Sequence, residues 1–218
     1  MSEAAKFAER LKQQVTIDDV FTGVASPSDV EAKSRAWPTR SEWSDVKLVS
    51  VVEDGPRRVE EYLFTPADGG PLQPVGVMFT TEDGVRRARL YGNHHWSDHR
   101  PLMSAVDPHI EPANGPDDIL RAYFEALANA DLEATMATWA EDGYLQHSYG
   151  DVYKGHERLR QDFTKFFSQG PLKLRYCNKT DDGVTCVLEA HMPHGRQALA
   201  VYQRTADGKK MQAARLYL

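Results

Sequence analysis

Apolar residues recur at helical spacing in the stretch between residues 116 and 150. Pro116, followed by Asp117 and Asp118, is typical of a helix start, because proline fits the first turn and acidic side chains favour the positive end of the helix dipole. Beyond this start, apolar side chains at every third or fourth position predict one buried stripe that includes Tyr123. We therefore expect Tyr123 to face the protein interior.

A second helix is predicted to begin at Asp131, a residue type that caps helix N-termini. Leu132, Met136 and Trp139 would lie on one face of this helix, and Gly143 is a typical stop. The two helices are thus expected to form a pair with apolar faces turned towards a common core.

The next segment, 144–149, alternates in polarity and therefore predicts a strand. Its pattern places Leu145, His147 and Tyr149 on one face. His147 would then share a face with two largely apolar side chains, either as a proton-transfer group or as a strand histidine hydrogen-bonded to a neighbour.

Two runs of four predicted strands complete the pattern. Turns rich in Gly, Pro and Asp separate them. The strands are 46–50, 59–64, 75–80 and 86–91 in the first run, and 172–178, 184–191, 198–205 and 211–218 in the second. The segments VGVMFTTEDGVRRARLY and LAVYQRTADGKKMQAARLY, at 75–91 and 199–217, agree closely enough to predict an internal duplication, with domains at 1–105 and 106–218.

The pattern of apolar and polar residues is less regular in the N-terminal region. Residues 4–14 predict a helix, 15–24 a strand or extended segment, and 26–37 a second helix that Pro38 would stop. The first repeat offers no residue that matches Tyr123 or His147, so we expect it to be a degenerate, structural domain.

Composition and charge argue against some classes of binding partner. The chain of 218 residues is 41% hydrophobic with a net charge of -6, spread along its length. A dispersed negative charge disfavours nucleic acid as a partner, and the sequence has no run of the ~20 apolar residues that a membrane-spanning helix needs. We expect a soluble cytoplasmic protein with no membrane partner.

Neither the cysteines nor the histidine-rich linker predicts a metal site. Cys177 and Cys186 would lie opposite each other if the hairpin turned at 181–182 and out of register if it turned at 182–183, and two reduced thiols are the simpler expectation. His94, His95 and His99, grouped with Asp98 in the linker, could bind a metal if a bent loop brought His94 and His99 together, but their spacing matches no zinc site. We therefore predict no metal, and the absence of a GxGxxG motif predicts no dinucleotide cofactor.

The helix with its central tyrosine, the segments ALANADLE and AEDG, the short strand and the segment YKGHERLRQDF together resemble the nuclear-transport-factor-2-like superfamily. This superfamily includes ketosteroid isomerases and SnoaL-like polyketide cyclases. The resemblance implies that Tyr123 takes the position of an oxyanion-hole tyrosine, and that His147 takes the position of an aspartate base. The second acid of that oxyanion hole would fall near Ala200 or Val201, and neither side chain can donate a hydrogen bond.

The resemblance also implies an α+β fold of two tandem cone-shaped barrel domains, each a strongly curved, mainly antiparallel sheet wrapped on helices. The cone of the second repeat would be the ligand cavity, and His191 and Asn178 would be secondary site residues. A mostly apolar wall suits a small hydrophobic ligand, although the same side chains would serve equally as an ordinary core. The expected wall residues are Tyr123, Phe124, Met136, Trp139, Leu145, Tyr149, Phe163, Phe166 and Phe167.

Two functions remain open from the sequence. The first is a cofactor-independent acid/base lyase or isomerase acting on a small hydrophobic oxygenated molecule such as a polyketide, a steroid-like enone or a terpene. His147 would be the general base or acid, Tyr123 the oxyanion donor, and His191 a second acid or base. The second function is a non-catalytic ligand-binding or assembly scaffold, with the two repeats as an internal pseudo-dimer and a further homodimer left open.

Overall fold

The computed structural model describes residues 1–19, 37–92, 115–147, 151–193 and 197–217. The chain divides into two compact units, one of Met1–Val106 with Tyr217–Leu218 and one of Asp107–Leu216. Within the described residues, no helix is long and apolar enough to cross a membrane. The predicted helix at 26–37 and the linker cluster of His94, His95 and His99 lie outside the described residues, except for Trp37.

The N-terminal unit contains one described α-helix and five strands. Ser2 caps the helix through its side chain, which accepts a hydrogen bond from the amide of Ala5 at 3.2 Å. The sheet order is β1-β5-β4-β3-β2, with β1 parallel to β5. The elements are α1 (Glu3–Lys12), β1 (Thr16–Asp19), a short 3-10 turn (Trp37–Thr39), β2 (Trp43–Asp54), β3 (Arg57–Pro66), β4 (Gln73–Glu82) and β5 (Val85–Gly92).

The predicted aspartate–glycine turn between β4 and β5 is confirmed. Asp83 and Gly84 both have positive φ angles, 51° and 75°, and Glu82 pairs with Val85 across the turn. Two successive positive φ angles match the right-handed twist of the flanking strands, and asparagine, aspartate and glycine tolerate them best. A local sequence signal therefore sets this register.

A small aromatic core holds α1 against the N-terminal sheet. Phe7 stacks on Tyr62 with ring centroids 4.2 Å apart, and it also contacts Phe64 edge-on. Phe7, Leu11 and Tyr62 are at most 1% exposed. Because these contacts join residues far apart in sequence, they fix the position of the helix on the sheet.

In its described residues, the C-terminal unit has three helices and a six-stranded sheet of order β7-β6-β11-β10-β9-β8, with β6 parallel to β11. The α+β class is confirmed; the strong curvature expected of both sheets stays a prediction. The elements are α2 (Ile119–Asn129), α3 (Leu132–Ala137), β6 (Trp139–Gln146), β7 (Val152–Lys154), α4 (His156–Phe167), β8 (Arg175–Asp181), β9 (Thr185–His191), β10 (Gln197–Arg204) and β11 (Met211–Tyr217).

The helix start predicted at Asp131 is confirmed, and the first helix begins slightly later than predicted, at Ile119, so that Pro116 precedes the helix and Asp118 caps it. Asp118 accepts a hydrogen bond from the amide of Leu120 at 3.0 Å, and Asp131 accepts one from the amide of Ala134 at 2.9 Å. A side-chain acceptor at this position satisfies an amide that would otherwise lack a partner in the first helical turn.

The predicted end of the second helix is wrong. Helix α3 ends at Ala137, and strand β6 begins at Trp139. Trp139 pairs with Met211 of β11, and the carbonyl of Thr138 accepts the Met211 amide at 2.8 Å. The long-range strand pairing therefore outweighs the helical spacing of Trp139.

The two cysteines are buried free thiols, as predicted. In the β8–β9 hairpin, Cys186 pairs with Asp181, and a register shift follows between Tyr176 and Asn178. Neither turn considered for this hairpin gives the observed register, because the pairing of Asp181 with Cys186 centres the turn on residues 183–184. Cys177 and Cys186 are consequently not opposite each other.

Candidate active site

Tyr123 lies on the buried stripe of α2, as its spacing predicts. It is 4% exposed, and its ring lies 5.9 Å from that of Trp139, 6.2 Å from Phe163 and 6.1 Å from Tyr202. The neighbouring rings come from β6, α4 and β10, which are distant in sequence. Tyr123 is thus the meeting point of four elements.

The hydroxyl of Tyr123 has no hydrogen-bond partner within the described part of the chain, so no backbone carbonyl found there satisfies it. Burial raises the pKa of Tyr123, and the negative charge of Asp162 raises it further. The phenol is therefore protonated at neutral pH and can act as a hydrogen-bond donor.

His147 lies just beyond the end of β6 and is paired with a carboxylate. Its Nε2 atom lies 3.1 Å from Oδ2 of Asp162, and the two side chains are 30% and 14% exposed. Its backbone amide donates to the carbonyl of Asp151, and the ring of Tyr153 packs edge-on at 5.3 Å. The imidazole is held in one orientation while remaining partly accessible.

Asp162 is the site residue that the sequence analysis missed. It occupies α4 between Leu159 and Phe163, which are 0% and 3% exposed, and so it lies on the inward stripe of that helix. A carboxylate at an inward position of an amphipathic helix is a detectable signal, since charged side chains are rarely buried without a partner. Its position three residues after Leu159 and directly before Phe163, both apolar, could have identified it in the sequence.

Most of the predicted wall residues lie together in one core. Phe167 is partly buried against it, and Tyr149 lies outside the described residues. Tyr202, which was not predicted, belongs to the same core and has its pKa raised first by burial and then by the proximity of Tyr123. The predicted wall residues in this core are Tyr123, Phe124, Met136, Trp139, Leu145 and Phe163.

The structure does not bring His191 and Asn178 to Tyr123. Cys186 and Leu188 of β9 belong to the core around Tyr123, and strand alternation turns Glu189 and His191 to the other face of the sheet. Asn178 donates to the carboxylate of Glu189 at 2.7 Å and therefore shares that face. Strand register, which the sequence could not supply, decides this separation.

The arrangement of Tyr123, His147 and Asp162 suits acid/base chemistry. If Nε2–H of His147 donates to Asp162, the lone pair of Nδ1 is left to accept a proton, and the carboxylate stabilises the imidazolium that forms. Tyr123 adds a protonated phenol whose pKa the charge of the same carboxylate raises. A base and a hydrogen-bond donor are thus both present at one end of an apolar core.

A cleft of about 330 Å³ lies on the N-terminal unit, remote in sequence from these residues. Turn residues and one tryptophan line it, and none of them was predicted to take part in catalysis. The lining residues are Glu42, Trp43, Pro66, Ala67, Asp68, Gly70, Pro71 and Gln73.

Comparison with known families identifies the C-terminal unit. Residues 120–215 match the family model described as a SnoaL-like domain, and the match does not extend into the N-terminal unit. These residues therefore form a SnoaL-like domain. A search of curated proteins finds no match to this chain.

Solved structures give distant similarities over 45% of this chain. A SnoaL-like protein of unknown function from Burkholderia thailandensis E264 has 15% identity and a TM-score of 0.40 over 89% of its length. The epoxide hydrolase/cyclase-like enzyme SalBIII, described in pyran ring formation in the polyether salinomycin, has 21% identity and a TM-score of 0.39 over 86% of its length. A putative SnoaL-like polyketide cyclase from Shewanella denitrificans OS-217 has 10% identity and a TM-score of 0.40 over 86%. Scores this low carry no argument about the activity of this chain.

Proposed function

From the SnoaL-like domain at residues 120–215, we propose that this protein is a cofactor-independent acid/base enzyme, a lyase or isomerase acting on a small hydrophobic oxygenated molecule. The observation that carries the proposal is the 3.1 Å contact between Nε2 of His147 and Asp162, a carboxylate whose charge acts on the phenol of the buried Tyr123. A histidine–carboxylate pair next to a phenol without a partner among the described residues supplies both halves of a proton transfer.

In the proposed reaction, Nδ1 of His147 removes a proton from a carbon next to a carbonyl group of the substrate. The electron pair of the broken C–H bond moves towards the carbonyl oxygen, which gains negative charge, and Tyr123 donates a hydrogen bond to that oxygen. Asp162 holds the imidazole and stabilises its protonated form. The proton returns to a different atom, or departs with a hydroxyl leaving group, so isomerisation, dehydration and cyclisation are all accessible. In epoxide opening, protonated His147 would act first, as the acid.

The core around Tyr123 limits the substrate class. Its other members are mostly apolar and aromatic, and Trp139 and Phe163 are 1% and 3% exposed. Apolar walls with a few polar groups favour a compact hydrophobic molecule with one or two oxygens, such as an enone, a polyketide ring or an oxygenated terpene.

Exchange of carbon-bound hydrogen tests the proposal without knowledge of the natural substrate. Cyclic ketones and enones are incubated with the protein in D2O, and deuterium incorporation next to the carbonyl is followed by proton NMR. We expect His147→Ala to lower the exchange rate about 100-fold or more, because a positioned general base contributes at least that much. We expect Tyr123→Phe to lower it by a similar factor, through loss of the oxyanion donor.

The matched control is His191→Gln, which alters a histidine on the opposite face of the sheet. It should leave the exchange rate within about twofold of the wild-type rate, a difference well below 1 kcal/mol. Exchange that persists in His147→Ala at the wild-type rate would refute the proposed base.

A scaffold without catalysis is the second candidate, and the tight aromatic packing favours it. Phe124 contacts Tyr176 at 5.2 Å and Tyr202 at 5.3 Å, so side chains fill much of the space in which a ligand would lie. The deuterium assay separates the two functions, because a scaffold would show no exchange that depends on His147.

We propose further that the N-terminal unit is a degenerate copy of the same fold with a structural role. Its strand order, β1-β5-β4-β3-β2, is that of β6-β11-β10-β9-β8, and in each sheet the first of these strands runs parallel to the last strand of the unit. The agreement between residues 75–91 and 199–217 supports the same origin. Association of the two units as an internal pseudo-dimer, and of whole chains as a homodimer, belongs to this proposal.

A further inference from the structure

The indole nitrogen of Trp139 is a buried donor without an acceptor. Trp139 is 1% exposed, and within the described part of the chain its Nε1–H has no hydrogen-bond partner. A buried donor without a partner destabilises the folded state, so most buried polar groups have partners and an exception calls for an explanation.

The backbone around Trp139 holds this indole in place. Trp139 pairs with Met211, and its carbonyl oxygen lies 3.2 Å from Nε2 of His156. A Cβ atom added to Gly143 would lie 3.0 Å from Cε3 of the indole, so the backbone of β6 closes over the six-membered ring. The indole therefore has little freedom to turn towards another acceptor.

Trp139 is also next to the proposed catalytic tyrosine. Its ring lies edge-on to Tyr123 at 5.9 Å and 6.1 Å from Phe163, which directly follows Asp162 in α4. Two donors without partners in the described chain, a phenol and an indole, thus belong to neighbouring aromatic rings.

We propose that the indole N–H of Trp139 is the second hydrogen-bond donor of this site and binds, together with Tyr123, an oxygen of the ligand that carries negative charge, such as a phenolate or an enolate. This inference rests on the proposed function. It narrows the substrate class to molecules whose reactive oxygen becomes an oxyanion, because two donors stabilise an oxyanion more strongly than a neutral oxygen. Ethers and epoxides without an adjacent carbonyl are the poorer fit.

The test is a titration of the ¹⁵N-labelled protein with 2-naphthol, a hydrophobic phenol whose ionised form stands in for the oxyanion. The chain has four tryptophans and hence four indole N–H signals. We expect the Trp139 signal to move downfield on binding, as an N–H does when it gains an acceptor, and that of Trp43 to stay in place because its Nε1 already donates to the carbonyl of Trp37 at 3.1 Å. Trp139 is assigned from its loss in Trp139→Phe or, if that variant does not fold, by sequential assignment of the wild-type protein.

Affinity gives the second readout. Trp139→Phe should weaken binding of the ionised naphthol about 10-fold, because the bound oxyanion then loses one of its two hydrogen-bond donors. Across a series of phenols, the loss of affinity caused by Trp139→Phe should grow as the phenol becomes more acidic and its oxygen carries more negative charge. Trp43→Phe is the matched control and should bind naphthol as the wild type does.

Each result separates this inference from the proposed function. Binding that Tyr123→Phe weakens while the Trp139 signal does not move would overturn the role of Trp139 and leave the proposed function standing. If wild-type protein neither binds naphthol nor catalyses deuterium exchange, both fall together.

Discussion

Ala130 ends helix α2 in a conformation that alanine rarely adopts. Its φ and ψ angles are 52° and 36°, in the left-handed region, and its amide donates to the carbonyls of Ala126 and Leu127. Left-handed backbone costs a residue with a Cβ atom about 1–2 kcal/mol, whereas glycine takes it without that clash. The short link between α2 and Asp131 therefore carries local strain.

Ala130→Gly should stabilise the protein by about 1 kcal/mol, because relief of this strain outweighs the added flexibility of the unfolded chain. Urea unfolding measures the change. Ala122→Gly, at an exposed position inside the same helix, is the control and should destabilise by about 1 kcal/mol. Equal effects of the two variants would contradict the explanation.

At the scale of elements, a buried carboxylate joins α1 to the N-terminal sheet. Glu60 of β3 is 0% exposed, and it accepts hydrogen bonds from Arg10 at 3.0 Å, from Arg58 at 2.6 Å and from the hydroxyl of Tyr62. Arg10 also donates to that hydroxyl. The carboxylate is thus fully surrounded by donors from two elements.

Glu60→Ala should destabilise the protein by about 3 kcal/mol, because it leaves Arg10 and Tyr62 without their buried acceptor. Denaturant unfolding followed by circular dichroism measures this. Glu53, which pairs with Arg58 at the surface and has a 61% exposed side chain, provides the control. Glu53→Ala should change stability by less than about 1 kcal/mol.

Arg204 of β10 plays a similar part in the C-terminal unit. It bonds both carboxylate oxygens of Asp181, at 3.0 and 2.8 Å, and Oδ2 of Asp118 at 2.6 Å, so it ties the start of α2 to the β8–β9 hairpin. Burial alone would raise the pKa of Asp181, but the hydrogen bonds from Arg204 and from the amide of Gly183, together with the charge of Arg204, lower it.

Because the pKa of Asp181 is lowered in the folded state, the contribution of its ion pair with Arg204 to the stability of the protein depends on pH. The stabilisation is complete above the pKa of an unfolded aspartate, about 3.9, and is lost as pH falls below that value through the folded pKa. The stability gap between wild type and Arg204→Leu should therefore shrink on going from pH 6 to pH 3, as urea unfolding at each pH would show. Arg160→Leu removes an exposed pair with Glu133 and should leave a small gap at every pH. A gap for Arg204→Leu that does not change with pH would contradict the role of Asp181.

At the scale of the whole molecule, the two units share a strand order but not the candidate chemistry. In the N-terminal unit the buried tyrosine Tyr62 is already bonded to Glu60 and Arg10, whereas Tyr123 has no partner among the described residues. A tyrosine hydroxyl that is hydrogen-bonded within the protein stabilises the fold, whereas one without a partner is available to bind a ligand.

Tyr62→Phe should accordingly lower the free energy of unfolding by about 1–2 kcal/mol while leaving deuterium exchange per folded molecule unchanged. Tyr123→Phe should do the reverse, with slower exchange and little loss of stability. Both variants are measured side by side by urea unfolding and by the D2O assay. Slower exchange in folded Tyr62→Phe would assign the N-terminal unit a part in the chemistry.

Sequence patterns predicted the local elements because their causes are local. Asp118 and Asp131 act as helix caps, and Asp83–Gly84 forms the turn, through bonds and angles confined to a few residues. Alternation likewise predicted all eight strands of the two runs, and the stripe of α2 predicted that Tyr123 is buried. The site partner Asp162 was missed, although its inward position in α4 was visible in the same kind of pattern.

Tertiary structure alone decided the pairings on which the candidate site depends. Pairing with Met211 made Trp139 the first residue of a strand instead of the end of a helix, and the β8–β9 register turned His191 and Asn178 away from Tyr123. Strand pairing and register are set by contacts between distant residues, and a shift of one position reverses the face of every side chain. The sequence thus determined which side chains could carry proton chemistry, and the packing of α2 and α4 with β6 and β10 determined which of them meet.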